Sequence, residues 1–230
     1  MTISFEDKVV IVTGAGGGLG RSHAIEFARR GAKVVVNDLG GSVDGSGGSS
    51  EAANNVVKEI TDSGGTAIPN GSSVIDDDGV KNMVDQAMSE FGQIDILINN
   101  AGILRDRSFS KMSMEDFTLV NDIHLMGSVK PTKMVWEIMK EQNYGRILVT
   151  TSSTGLYGNF GQSNYGAAKL GLVGFINTLK LEGQKYNINC NVLCPVAYTR
   201  MTENLMPPEA EQLLTPCLLY TSDAADDSQC

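Results

Sequence analysis

Short apolar runs of strand length alternate along this chain with longer stretches of helical period. Residues 9–12 (Val-Val-Ile-Val) form a continuous β-branched run, the pattern of a strand covered on both faces. Residues 34–36, 94–98 and 147–149 read the same way, and weaker runs at 66–68 and 189–193 bring the predicted strands to six. Amphipathic segments fill the gaps. Residues 19–30 carry Leu19, Ala24, Ile25, Phe27 and Ala28 and stop at Gly31; residues 51–63 carry Ala52, Val56, Val57 and Ile60 and stop at Gly64-Gly65. Residues 80–91 place Val80, Met83, Val84, Ala87 and Met88 on one stripe and stop at Gly92. Longer helices are predicted over 114–143, with a break, and over 163–186. Repeated βα units with right-handed crossovers build a doubly wound parallel sheet, a Rossmann-type fold of three α/β/α layers.

Two stretches interrupt this rhythm. Nine of the eleven residues at 40–50 are Gly or Ser. They read either as a flexible loop between the second strand and its helix or, from their place above a strand's carboxyl end, as a lid. From Pro216 the pattern stops, and residues 216–230 read as a non-native tail on a single domain spanning 1–215.

Composition narrows the function classes. Eighteen Lys and Arg against 27 Asp and Glu leave a net charge of -9. That balance argues against a nucleic-acid or anionic-membrane partner, each of which needs a basic face. No apolar run approaches the ~18 residues of a membrane span. The N-terminus, through Thr2, Glu6 and Asp7, does not read as a signal peptide. The four cysteines (Cys190, Cys194, Cys217 and Cys230) form no CxxC pair. They are expected to be reduced thiols of an intracellular protein, and no metal constellation is predicted.

Chemistry enters at the first strand. Thr13-Gly14-Ala15-Gly16-Gly17-Gly18-Leu19-Gly20 follows it directly and opens a helix. Glycines permit a tight turn and close approach of backbone to a pyrophosphate, while the helix N-terminus supplies unpaired N–H groups and partial positive charge. The next strand ends at Asn37-Asp38. A carboxylate there accepts hydrogen bonds from ribose hydroxyls and repels a 2′-phosphate, and no Arg or Lys follows in 39–50. NAD is therefore the expected cofactor; the alternative is Asp38 as an ordinary turn residue.

Tyr165 and Lys169 lie four residues apart, on one helix face. A phenol with a pKa near ~10 is a poor base at neutral pH, and an adjacent positive charge favours the phenolate. Thirteen residues upstream, Ser152 follows the fifth strand, where its hydroxyl can hold a substrate oxygen beside the phenol. Each feature alone is common; the constellation is not.

These motifs, with Asn99, Asn100, Ala101 and Gly102 after the fourth strand, make the chain similar to the short-chain dehydrogenase/reductase family over residues 5 to about 215. The resemblance implies an oxidoreductase with Ser152, Tyr165 and Lys169 as catalytic residues. It implies cofactor contacts from Gly14, Gly18, Leu19, Gly20, Asp38, Asn100, Ala101, Gly102, Tyr165 and Lys169, with Pro195, Val196, Ala197 and Thr199 beside the nicotinamide amide. Two departures stand out. His124 occupies the place of a catalytic Asn of the wider family, with Asn121 expected on the helix surface. Ser72 and Ser73 stand where the family's third strand ends in an adenine-contacting Asp. Further stretches at 37–41, 102–109, 144–147, 155–162 and 200–203 resemble the family's hydroxyacyl-CoA dehydrogenase branch. They imply oxidation of a (3R)-hydroxyacyl-CoA to the 3-ketoacyl-CoA in fatty-acid β-oxidation, in the cytoplasm or a peroxisome. The rival readings are a 17β-hydroxysteroid or other secondary-alcohol dehydrogenase and, from another class, a catalytically silent NAD-binding protein.

The family's sheet has a seventh strand and a following helix, which contribute to oligomer contacts; both are expected to be missing here. The chain is expected to form a homodimer when full length. The sixth strand is expected to become an unpaired edge with Ile188 and Val192 partly uncovered. His23 is expected at a surface or interface, and Cys190 and Cys194 in the core. Met112, Met114, Met134 and Met139 read as packing or as apolar substrate-side surface. Arg105 and Arg107 read either as ligands of CoA phosphates or as solvated surface.

Overall fold

The computed structural model describes residues 3–49, 51–202, 207 and 209–218 of the 230-residue chain. Ser50, Glu203 and the expected tail from residue 219 onward therefore lie outside the described residues.

All six predicted strands form. They are β1 (Val9–Thr13), β2 (Lys33–Asn37), β3 (Thr66–Asn70), β4 (Ile96–Asn99), β5 (Gly145–Thr150) and β6 (Ile188–Leu193), all parallel, in the order β3-β2-β1-β4-β5-β6. Strand order reverses at β1 and β4, so their carboxyl ends open the crevice in which doubly wound folds bind ligands. The helices are α1 (Gly18–Arg29), α2 (Glu51–Asp62), α3 (Asp77–Phe91), α4 (Met114–Asn121), α5 (Gly127–Gln142), α6 (Ser153–Tyr157), α7 (Ser163–Gly183) and α8 (Ala210–Leu213). Helix α3 begins three residues before the apolar stripe because Asp76 caps it, accepting from Gly79 N at 2.8 Å. The expected break between α4 and α5 is a π-helical turn, Asp122–Met126, which contains His124.

Alternate strand residues feed two cores. Val10, Val12, Val34, Val36, Ile96 and Ile98 pack against Ala24, Phe27 and Ala28 of α1 and Ala53, Val56 and Ile60 of α2. Ile11, Val35, Leu97, Ile147 and Val149 pack against Met83 of α3, Val135, Trp136 and Met139 of α5, and Leu172 and Ile176 of α7. Residues 9–12 and 34–36, at 0–1% exposure, are covered on both faces, which explains the unbroken apolar runs of β1 and β2.

Strand β6 pairs only with β5 and is the sheet edge among the described residues. The expectation for Ile188 is corrected: it is fully buried. Its side chain faces the α5–α7 core, while Asn189 and Asn191 take the exposed face, so an edge strand here loses cover on one side only. Cys194, expected in the core, is exposed just past the strand, whereas Cys190 is buried. His23, expected at a surface or interface, is buried in α1, and burial holds its pKa down at about 4. No described helix is long and apolar enough to cross a membrane, and no cluster of three or more His, Cys, Asp or Glu among the described residues could hold a metal.

Candidate active site

The turn after β1 is built for close approach. Gly14 and Gly18 have φ of +64° and +52°, where a side chain is strained. A Cβ on Gly20 would lie 2.1 Å from Gly14 O, and one on Gly14 would lie 2.8 Å from Ala101 Cα. Asn100 locks the turn to the tip of β4, its Nδ2 donating to Thr13 O and Gly14 O at 3.1 Å each. Thr13 Oγ1 accepts from the backbone N–H groups of Asn100 and Ala101. No side chain among the described residues caps α1 at Gly17, so its first N–H groups are free for an anion.

A cavity of about 300 Å³ opens above this turn. Gly14, Gly18, Leu19, Asp38, Ser72, Ser73, Asn100, Ala101, Gly102 and Thr199 all line it. Gly20, Tyr165, Lys169, Pro195, Val196 and Ala197 do not: Val196 points to solvent, and Ala197 is buried with its carbonyl accepting from Thr202 Oγ1 at 2.7 Å. The Asp38 carboxylate is fixed by two amides, Gly16 N at 2.7 Å and Gly40 N at 2.6 Å. Beneath Ser72, an amide ladder spans the strand tips. Asn37 Nδ2 donates to Asn70 Oδ1 at 2.7 Å, Asn70 Nδ2 donates to Gln86 Oε1 at 2.9 Å, and Ser72 Oγ donates to Asn82 Oδ1 at 3.1 Å.

The second half of the site lies at the tip of β5. Ser152 leaves that strand and caps α6, its Oγ accepting from Thr154 N. Its side chain also lies near the Tyr165 phenol, close enough to favour the charged form. Lys169, one turn on in α7, is buried, and its Nζ donates to Thr150 O at 2.5 Å and lies 5.5 Å from the Tyr165 ring centroid. Thr151 Oγ1 donates to Lys169 O at 2.7 Å, which ties α7 to the strand tip. Burial dominates the electrostatics of the pair. It raises the Tyr165 phenol above its usual value, with the nearby Ser152 hydroxyl opposing, and pulls Lys169 down to about 7.

His124 packs edge-on against Tyr165, the ring centroids 5.0 Å apart. Its Nε2 lies 2.8 Å from Ile103 O and 3.1 Å from Ile103 N, and its Nδ1 is buried with no hydrogen-bond partner among the described residues. Burial, reinforced by the Lys169 charge, lowers its pKa to about 3, so the ring is neutral. Gly102 makes room for it: a Cβ there would lie 2.2 Å from His124 Cε1. Asn121, expected on the helix surface, is half-buried instead and donates to Phe117 O at 2.9 Å.

Residues 8–210 match the short chain dehydrogenase family. The chain belongs to that family. As a short-chain dehydrogenase it is an oxidoreductase, and its relatives bear this out. Peroxisomal multifunctional enzyme A of Dictyostelium discoideum is 56% identical over 96% of this chain and 50% of its own length. A short-chain type dehydrogenase/reductase of Mycobacterium tuberculosis is 52% identical over 97% of this chain and 80% of its own. Peroxisomal multifunctional enzyme type 2 of Mus musculus is 53% identical over 93% of this chain and 29% of its own. The chain thus spans half or less of the multifunctional relatives. Among solved structures, a 7α-hydroxysteroid dehydrogenase complexed with NADH and 7-oxo glycochenodeoxycholic acid superposes with a TM-score of 0.82 at 30% identity, covering 91% of this chain and 79% of that one.

Several residues of this short-chain dehydrogenase site carry no local sequence signal. Gln162 and Asn164 are ordinary residues in the sequence and become structural only where elements meet. Arg105 is neither free for a phosphate nor simply solvated: its guanidinium donates to Asp44 O at 2.8 Å and to Asp116 Oδ1 at 2.7 Å. Arg107 is exposed, its Nη1 donating to the neighbouring Asp106 O.

Proposed function

We propose that the chain is an NAD-dependent dehydrogenase that oxidises the 3-hydroxyl of a (3R)-hydroxyacyl-CoA to a ketone. The observation that carries this reading is the grouping of Ser152, the Tyr165 phenol and the buried Lys169 at the tip of β5, together with a cavity over the glycine turn that Asp38 edges. The glycine cradle and the uncapped start of α1 suit a pyrophosphate, and the amide-held Asp38 suits a ribose diol over a 2′-phosphate. Bound NAD+ supplies the hydride acceptor and a positive ring that offsets the burial of the phenol.

Ser152 and Tyr165 hold the substrate oxygen between two hydroxyls. In its phenolate form, which the Lys169 charge and a bound cofactor's positive ring would favour, Tyr165 takes the alcohol proton as the carbon–oxygen double bond forms. Lys169 keeps positive potential beneath the phenol and offers its remaining donors to the cofactor ribose. His124, neutral, buttresses the phenol ring by its edge and holds the Ile103 backbone. The acyl-CoA class rests on the multifunctional relatives, one of which is named a hydratase-dehydrogenase-epimerase. A hydroxysteroid alcohol is the second reading, favoured by the likeness to the 7α-hydroxysteroid dehydrogenase.

An assay at the NADH absorbance band tests both. Wild type should turn over (3R)-hydroxyacyl-CoA faster than estradiol. Tyr165→Phe should lose ~10²–10⁴ in kcat while still binding NADH. Faster turnover of estradiol would replace the substrate class with a steroid. Tight NADH binding with no turnover of either alcohol would remove the catalytic reading altogether.

A further inference from the structure

The Gly/Ser insert is not loose in this structure. Its base is tied by Gly40 N donating to Asp38 Oδ1 at 2.6 Å and Ser49 N donating to Leu39 O at 2.9 Å. Its tip turns on Asp44, whose Oδ1 accepts from Ser42 Oγ and Ser46 N. Gly41, Ser42, Val43 and Gly45 form one wall of the dinucleotide cavity. With nine Gly or Ser residues the insert has almost no apolar anchor, so hydrogen bonds must hold it in place. Among the described residues, those reaching its tip from outside come from one segment: Leu104 N donates to Val43 O at 2.9 Å and Arg105 Nε donates to Asp44 O at 2.8 Å.

The same segment grips the helix that carries the phenol. Arg105 O accepts from Asn164 Nδ2 at 3.1 Å, and the fully buried Asn164 accepts from Tyr165 N through its Oδ1 at 2.8 Å. Asp106 Oδ2 accepts from Gln162 Nε2 at 2.8 Å, and Arg107 N donates to Gly161 O at 2.9 Å. Asp116 of α4 fixes the far side of the guanidinium at 2.7 Å. One strip of chain therefore joins the cavity wall to the start of α7.

We propose that Arg105 is a positioning residue that couples the wall of the dinucleotide cavity to the placement of Tyr165, so that the adenosine side of the cofactor and the proton-transfer geometry depend on one guanidinium. The inference rests on the dinucleotide reading of the preceding section. Removing the guanidinium leaves Leu104 N as the remaining outside bond to the tip of the insert, and the segment 103–107 loses its brace to α4 beside the carbonyl that holds Asn164.

The test titrates the 230-residue chain with ADP-ribose, which lacks nicotinamide and reports on the cavity alone, and measures kcat and KM with (3R)-hydroxyacyl-CoA. Arg105→Ala should weaken ADP-ribose binding about tenfold, the scale of one lost hydrogen bond from a charged donor, and should also lower kcat. Free guanidinium at non-denaturing concentration should restore part of both in Arg105→Ala and neither in wild type. Arg105→Lys, which keeps the charge beside Asp116 but not the planar fork, should fall between the two and serves if the alanine variant does not fold. A lowered melting temperature with ADP-ribose affinity and kcat intact overturns the proposal, as does a change in one of the two without the other. Wild type that binds neither ADP-ribose nor NADH sinks the dinucleotide reading instead.

Discussion

Acid should destabilise this protein through two imidazoles, well before its carboxylates titrate. The chain has two histidines, His23 and His124, and both are buried. Burial holds them at about 4 and about 3, against ~6.5 in an unfolded chain. Between those values the unfolded state binds more protons than the folded one, so stability is full above 6.5 and falls as pH drops below it. At pH 5, still above both folded values, each histidine has withdrawn 1.5 pH units at ~1.36 kcal/mol per unit, or about 2 kcal/mol. Together they remove about 4 kcal/mol, a large share of the ~5–15 kcal/mol typical of a domain. Carboxylates with unfolded values near ~4 scarcely change charge in this window. Urea unfolding at pH 7 and pH 5, followed by the buried Trp136, measures the difference directly. His23→Gln should halve it. A loss below ~1 kcal/mol, or an undiminished loss in His23→Gln, would refute the reasoning.

Other consequences are as concrete. Lys169 sits at about 7 against ~10.4 unfolded, so stability should rise by about 2 kcal/mol from pH 7 to pH 9, and Lys169→Met should abolish that rise while removing activity. Denaturant midpoints at the two pH values decide it. Asp38→Asn leaves one of two backbone amides without a carboxylate partner and removes the charge that repels a 2′-phosphate. KM for NAD should rise about tenfold and the preference over NADP should shrink, as steady-state kinetics with both cofactors will show. Gly102→Ala drives a methyl to within 2.2 Å of the His124 ring in a packed interior. It should cost ~1–3 kcal/mol by thermal melting and lower kcat through the displaced Tyr165 edge contact.

Much of the fold was legible because its signals are local. The β-branched runs of β1 and β2 mark strands covered twice, and Gly31, Gly64 and Gly92 mark helix ends by their positive φ. Even the edge character of β6 is written in its alternation of Ile188 and Cys190 with Asn189 and Asn191. The misreadings arose where burial depends on a distant element. His23 looks like any helical surface residue until α1 packs on the sheet, and Cys194 looks like core until the chain leaves β6. Short α6 escaped notice because Ser152 caps only five residues.

The candidate site divides along the same line. The glycine turn, Asp38, Ser152, Tyr165 and Lys169 announce themselves by residue type and spacing, because strand–turn–helix geometry and the helical repeat are properties of neighbouring residues. Which charge state those groups hold, how the Gly/Ser insert is held above the cavity, and what Arg105 touches depend on contacts between segments up to 61 residues apart. Desolvation and hydrogen bonding across such gaps exist only once the chain has closed on itself, and so only the tertiary structure could decide them.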